Sequence, residues 1–461
     1  MIVALVPMLQ VALANVTDPT PVMLKGDIQL KSLTAITFNK DGVLFLADPL
    51  GMKIYALDEK HSNLEKAQSV DVANIDEKLA ALLGVSTKDI KIEDMAVNPT
   101  SSEIYFAVTR RGSALQPTII KVDGQGKLSA FALNNVSYYE TSLADIPSKS
   151  PHQYYGLSSA ITDMAFIEGE LYVSGLSGDV FSSKLRRFQY PFTNKTQAVQ
   201  LEIFHPSHDR FETNSPIETF LPFTVNGKTH ILAGYGCAPL AKFPLSDVKS
   251  NEQLRGVTVA ELGGGNRPLD MISFNDEGVD YLLIANSDRT LMQISSTDLD
   301  KQQAVEKGPT RVPIYASAGV KYLSIAEIGI TQLDDYNAQS YLVLQRNAVD
   351  GSLNLRSKGK IRPSLMGMFG KVEELRLAGK LTEAEAQIVK FARSGDQRTV
   401  SVMYYNLACS YALGSQPDGA FKFLEVARSM GYISKDQYVN DPDLVSLKND
   451  KRWNELVAKL K

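Results

Sequence analysis

Cysteine is nearly absent from this 461-residue chain, with Cys237 and Cys409 its two thiols. Two cysteines so far apart exclude a disulfide-built scaffold, so a hydrophobic core has to hold the fold. Histidine is scarce as well, with five residues: His61, His152, His205, His208 and His230. An excess of one charge sign is also lacking, because 48 basic residues face 52 acidic ones for a net charge of −4. Nucleic-acid-binding domains carry a marked basic excess, so that class is excluded. Residues 362–461 carry a net +3 and the remainder −7, an imbalance too small to imply a membrane or polyanion partner. Beyond the first residues, no apolar run is long enough for a transmembrane helix. The Gly-x-Ser-x-Gly elbow, the phosphate-binding loop and the dinucleotide fingerprint are missing too, which removes the usual sequence warrants for those chemistries.

What is present begins with an apolar leader. Residues 1–14 (MIVALVPMLQVALA) are apolar apart from Gln10 and end in Ala12-x-Ala14, before the polar Asn15-Val16-Thr17-Asp18. Small residues at that spacing suit a signal peptidase, so 1–14 is expected to be a signal peptide and the protein periplasmic or secreted. No Lys or Arg precedes the run, and a buried N-terminal element is the other reading.

Internal repetition is the strongest signal. Residues 33–58 read LTAITFNKDGVLFLADPLGMKIYALD: an alternating strand, a turn at Asn39-Lys40-Asp41-Gly42, a second apolar strand, and a third from Lys53. Asp-Gly before an apolar run tolerates the positive φ of tight hairpin turns. The same plan recurs at 93–131, 161–188, 217–245, 268–294 and 328–355. This spacing accommodates four short antiparallel strands and their loops, the unit of a β-propeller blade. The expected fold is an all-β propeller of about six blades over residues 25–360. Seven are also allowed, because 70–89 and 136–156 are hard to place. A short helical pattern in 70–89 reads as an insertion between the first two blades.

The repeat units resemble the propellers of NHL-repeat and SMP-30/strictosidine-synthase-like proteins. The pattern that carries this is apolar–polar–apolar, Asp-Gly, an apolar run, then a short strand closing on Asp58 or Asp123. The likeness spans roughly 330 residues and implies a fold.

Near Pro363 the period changes from strand to helix. Residues 371–378 and 382–393 read as a helix pair, with Thr382 as the expected N-cap of the second. Tyr404, Leu407, Ala408, Tyr411, Ala420, Leu424 and Ala427 follow at the tetratricopeptide spacing. Small Ala408 and Ala420 let two helices approach, and the larger residues fill the space around them. Tyr432 stands where that repeat often carries proline. Residues 441–460 read as a capping helix pair, which a repeat array needs. Residues 363–461 are therefore expected to form an all-α domain resembling a tetratricopeptide repeat, which implies docking of a protein or peptide partner or packing as a buttress.

Two constellations could carry chemistry. His205-Pro206-Ser207-His208, with Asp209 and Glu212, has a spacing that can offer two ligands to Zn or Cu. Asp94, Asp163 and Asp270 each precede a Met that opens an equivalent strand. If those strands are innermost, three carboxylates share the channel, where like charges repel unless a cation such as Ca²⁺ lies between them. Capping of the local backbone is the alternative role for each Asp. In lactonase-type propellers a comparable ring holds the catalytic metal, and Asn286 is one counterpart this resemblance offers. Gly263-Gly264-Gly265 reads as a tight turn between blades. Lys184, Arg186 and Arg187 read as a solvated outer strand.

Three functions follow as expectations: an exported binding or scaffold protein with a docking module, a metal-dependent hydrolase of lactonase type acting in the channel, or a histidine-bound metal site used for redox chemistry or metal delivery. Whether the chain is an enzyme, its ligand, its partner and its oligomeric state stay open at this level.

Overall fold

A computed structural model describes residues 20–59, 69–112, 114–146, 155–193, 196–250, 252–306, 316–392, 397–431 and 433–460. The leader 1–14, His61, His152 and Tyr432 lie outside the described residues. Each repeat folds as a sheet, and the hairpins arise where the sequence places turn residues. In the first repeat, Asn39 Oδ1 accepts the amides of Asp41 and Val43, and Gly42 takes φ +84°. That positive φ is the reason glycine follows Asp41.

Among the described residues the sheets number six, and together they form a six-bladed β-propeller. They are numbered here by the order in which the chain reaches their innermost strands. Those strands are Ile36–Phe38, Ile90–Val97, Asp163–Ile167, Ile217–Val225, Pro268–Asp276 and Ile330–Asp335. Alternation within each blade buries both faces, so the core is a set of apolar layers between neighbouring blades. Phe45 and Leu171 belong to the layer between blades 1 and 3. Leu44 and Tyr105 lie between blades 1 and 2, and Val108 and Leu342 between blades 2 and 6. Further layers join blades 3 and 4 through Tyr172 and Ile231, and blades 4 and 5 through Leu240 and Ile284.

These layers give the order around the ring: 1, 3, 4, 5, 6, 2. Blade 2 therefore stands between blades 1 and 6, and two strands close the ring out of sequence. Asp71–Val72 pairs with Leu353–Gly359 as the outer strand of blade 6. Val136–Ser142 returns past blade 2 to pair with Lys53–Asp58 of blade 1. Leu24–Gly26 adds a further strand outside it. The segments 70–89 and 136–156, hard to place by sequence, contain these closing strands. The helix in the first of them spans Ile75–Leu82.

Arg186 and Lys184 correct an expectation. Their strand, Ser183–Gln189, is flanked on both sides by Glu170–Leu176 and Thr196–His205. Arg186 is fully buried, pairs with Asp145 at 2.8 Å, and donates to the carbonyls of Ala160 and Leu176. Lys184 is nearly as buried and bonds Asp145 and Asp179. A basic run in a strand does not reveal whether carboxylates from distant loops meet it.

A second compact unit takes in residues 358–461 with the hairpin tips 275–279 and 337–341. Its helices span Pro363–Leu377, Leu381–Ala392, Gln397–Leu413, Pro417–Met430, Lys435–Asn440 and Lys451–Ala458. The second begins at Leu381, so Thr382 lies inside its first turn and is not the expected N-cap. Leu407, Ala408, Ala420, Leu424 and Ala427 are buried together between the two helices of the central hairpin. Phe423 stacks against both Tyr404 and Tyr411. Among the described residues, no helix is long and apolar enough to cross a membrane.

Candidate functional site

The three aspartates singled out by register do converge on the channel, and a fourth, Asp334, joins them. Each uses its carboxylate in the same two ways. Oδ1 accepts the next amide along the chain: Met95 for Asp94, Met164 for Asp163, Met271 for Asp270 and Asp335 for Asp334. Oδ2 crosses to the neighbouring blade. Asp163 takes the Phe220 amide at 2.8 Å, Asp270 that of Leu333 at 2.6 Å, Asp334 that of Val97 at 2.6 Å, and Asp94 that of Ile36 at 2.7 Å. Thr34 carries the pattern from blade 1 to blade 3 by donating to the Ile161 carbonyl at 3.0 Å.

Gathering these acids has an electrostatic consequence. Burial pushes Asp163 and Asp334 up to about 7, against the pull of the amides they accept. Asp94 and Asp270 rise well above the carboxylate range, first by burial and further by the neighbouring aspartates. With its amide oriented to suit its surroundings, Gln332 donates to Asp270 Oδ2 at 3.2 Å and to Asp94 Oδ1 at 3.0 Å. Asn286 is engaged elsewhere: it accepts from Asn266 and donates to the carbonyls of Ile284 and Thr290. Asp334 escaped the sequence pattern because Asp335, not Met, follows it.

The histidine pair forms a second constellation. His205 ends the strand Thr196–His205, and His208 lies in the 3-10 turn Pro206–His208. Asp209 then takes φ +50° and turns the chain into the short strand Arg210–Glu212. This fold-back places Glu212 under both rings. Its Oε2 meets His205 Nδ1 at 2.9 Å and its Oε1 meets His208 Nδ1 at 2.7 Å. Arg210 and Ser215 also donate to the same carboxylate. The two rings lie 3.8 Å apart, centroid to centroid.

Blade 4 completes the cluster. Cys237, just past the strand Lys228–Tyr235, offers its carbonyl to His205 Nε2 at 3.3 Å. Its Sγ accepts the Gly265 amide at 3.4 Å, which gives the glycine-rich turn a role. One ligand atom from each of His205, His208 and Cys237 lies within 4.8 Å of the other two. Burial favours neutral His205, but Cys237 and Glu212 outweigh it and raise the imidazole to about 9. For Glu212, burial is outweighed by its bonds from His205, Ser215 and His208, which hold it well below the usual range. His205 lowers the Cys237 thiol against the opposing effect of burial.

Cys237 and Glu261, a buried carboxylate at the end of the blade 4 strand Val257–Glu261, were invisible as neighbours of His205 in the sequence, because 32 and 56 residues separate them from it. Topology unites them: beyond the His205 strand blade 3 has only the short strands Arg210–Glu212 and Gln253–Arg255 among the described residues, and the second leads directly into Val257–Glu261 of blade 4. His230 is not part of the cluster. It sits near the start of its strand, where Nδ1 meets the Lys228 carbonyl at 2.9 Å.

No protein-family model matches the chain, and no curated protein does. Among solved structures, the extracellular domain of a one-component system from B. thetaiotaomicron is similar over 70% of this chain and 32% of that one, at 12% identity and a TM-score of 0.28. The chain thus spans about a third of that neighbour's length. The propeller assignment rests on the six sheets and their pairing, which stand independently of this distant likeness.

Proposed function

We propose that this chain is an exported binding or scaffold protein, in which the propeller supplies a rigid, loop-bearing surface and the helical unit docks a peptide. The observation that carries the reading is the employment of the channel carboxylates. Asp94, Asp163, Asp270 and Asp334 each commit both oxygens to backbone amides, one of them in the adjacent blade. Groups used in this way join neighbouring blades around the channel. A ring built to be rigid suits recognition by its loops. In the helical unit, the residues at the tetratricopeptide spacing pack a helical hairpin, and such hairpins hold extended peptides along their exposed faces.

Two measurements test this. Fractionation of cells expressing the full-length chain should place it outside the cytoplasm with 1–14 removed, as read by N-terminal mass spectrometry. A partner cross-linked to the full chain should lose its cross-links when residues 363–461 are deleted from a propeller that keeps its circular dichroism. Retention of every cross-link would remove the docking role.

The second reading, a metal-dependent hydrolase of lactonase type, draws on the convergence of four carboxylates in one channel. A Ca²⁺ ion there would relieve their mutual repulsion. It predicts one bound Ca²⁺ per chain, lost in Asp163→Ala, and lactone hydrolysis that disappears with it.

A further inference from the structure

Beyond a binding role, we propose that His205, His208 and Cys237 form a zinc site at the junction of blades 3 and 4, with Glu261 supplying the second negative charge. Zinc is bound by imidazole nitrogen and thiolate sulfur in a tetrahedral arrangement, with metal–ligand bonds of about 2.0–2.3 Å. Ligand atoms around such a centre lie roughly 3.3–3.8 Å apart on that geometry. The three donors here, within 4.8 Å of one another, are close to that arrangement. Contraction by about 1 Å is within reach of a side-chain adjustment at His208, whose side chain is 41% exposed in a short turn.

Orientation supports the same assignment. Glu212 holds the Nδ1 atom of both rings, which leaves Nε2 as the metal-facing nitrogen of each; that of His205 meets the Cys237 carbonyl at 3.3 Å and would exchange this contact for the ion. A carboxylate behind a ligating histidine fixes the ring's direction and raises its basicity. One carboxylate serving two histidines, itself fixed by Arg210 and Ser215, is a metal-site second layer in its donor pattern. The thiol is positioned at conformational expense: Cys237 has φ +64° and Ala238 +82°, values that favour glycine.

Glu261 is an independent pointer to a cation. It ends the strand Val257–Glu261 and is 3% exposed; Ser207 and the Gly263 amide lie nearest its carboxylate, neither in full hydrogen-bonding geometry, and among the described residues no cationic side chain pairs with it in an ion pair. Burying an unpaired carboxylate is costly, and a positive charge beside it offsets that cost. Its strand is tied to both sides of the cluster: Thr258 donates to the Phe204 carbonyl at 2.6 Å, and Leu262 to the Ala238 carbonyl at 2.9 Å. One thiolate, one carboxylate and two neutral imidazoles balance a divalent ion. That count favours Zn²⁺ over Cu⁺.

The test uses the full chain, stripped with a chelator and retitrated with Zn²⁺ against a chromogenic competitor, and with Co²⁺ as a spectroscopic substitute. One equivalent of either ion should bind. Co²⁺ should produce a thiolate charge-transfer band that Cys237→Ser abolishes. His208→Ala, at an exposed side chain, should weaken Zn²⁺ at least tenfold with circular dichroism unchanged, and Glu261→Gln should weaken it as well. A wild-type chain that binds neither ion overturns the proposal, as does a charge-transfer band that survives Cys237→Ser. Alkylation of Cys237 by iodoacetamide at the same fast rate with and without Zn²⁺ would overturn it in favour of a histidine-activated nucleophile; the zinc site predicts protection by the ion.

Discussion

Asp163 Oδ2 accepts the amide of Phe220 at 2.8 Å, so a carboxylate on the innermost strand of blade 3 holds the innermost strand of blade 4. Its other oxygen accepts the Met164 amide at 2.7 Å. Hydrogen bonds to a charged acceptor contribute more than neutral ones, about 1.5–3 kcal/mol. Asp163→Ala removes both acceptors and leaves buried amides unmet. It should lower unfolding stability by about that amount, read from the urea midpoint with the slope unchanged.

The same acids set a pH dependence. Asp163 and Asp334 rise from 3.8 in the free side chain to about 7 when folded. Between those values the folded chain binds more protons than the unfolded one, so stability falls as pH rises. Thermal melts should therefore show a decline that begins near pH 4 and continues through 7, where Asp94, Asp270 and His205 also hold their protons longer in the folded chain. Asp163→Asn should make that decline shallower.

Glu212 organises the histidine cluster from beneath, with bonds to His205, His208, Arg210 and Ser215. Glu212→Gln removes a buried charge from these donors and should cost about 3–5 kcal/mol in stability. Loss of an outer carboxylate should also weaken zinc by about 10–100-fold. Denaturation and the competitor titration read the two effects separately.

Arg186 is fully buried against Asp145, and Lys184 shares that carboxylate. Arg186→Met breaks the pair and orphans the carbonyls of Ala160 and Leu176. A loss of about 3–5 kcal/mol is expected from removing one partner of a buried pair. Circular dichroism melts of the full chain check it.

In the helical unit, a Cβ at Gly419 would lie 2.4 Å from Tyr411 Cδ1. The Tyr411 ring stacks on Phe423 and has little room to retreat. Gly419→Ala gains up to about 1 kcal/mol of helix propensity, but overpacking costs about 1–3 kcal/mol. Net destabilisation of the helical unit is expected, seen as a lower-temperature loss of the 222 nm helical signal (roughly the amide helix band).

The propeller was legible because each blade repeats one local plan, with Asp41-Gly42 and Glu277-Gly278 marking hairpins. The convergence of Asp94, Asp163 and Asp270 was legible for the same reason: equivalent register places equivalent side chains. Ring order was not. Val136–Ser142 pairs with Lys53–Asp58 across the whole of blade 2, and nothing local to either strand records that partnership. The same limit hid Cys237 and Glu261 from the histidines, and Asp145 from Arg186. Each is a meeting of loops made by closure of the ring. In the helical tail, spacing alone exposed the Tyr404–Ala427 hairpin, since its contacts are local.

Whether the channel acids join blades or hold a reactive metal decides between the two functions. The direct measurement is the melting temperature of the chelator-treated full chain with and without millimolar Ca²⁺, for wild type and Asp163→Asn. Blade-joining acids predict a wild-type melting temperature unchanged by Ca²⁺ and a lower one for Asp163→Asn in either condition. A wild-type rise with Ca²⁺ that Asp163→Asn abolishes, with one ion bound per chain, would contradict the account.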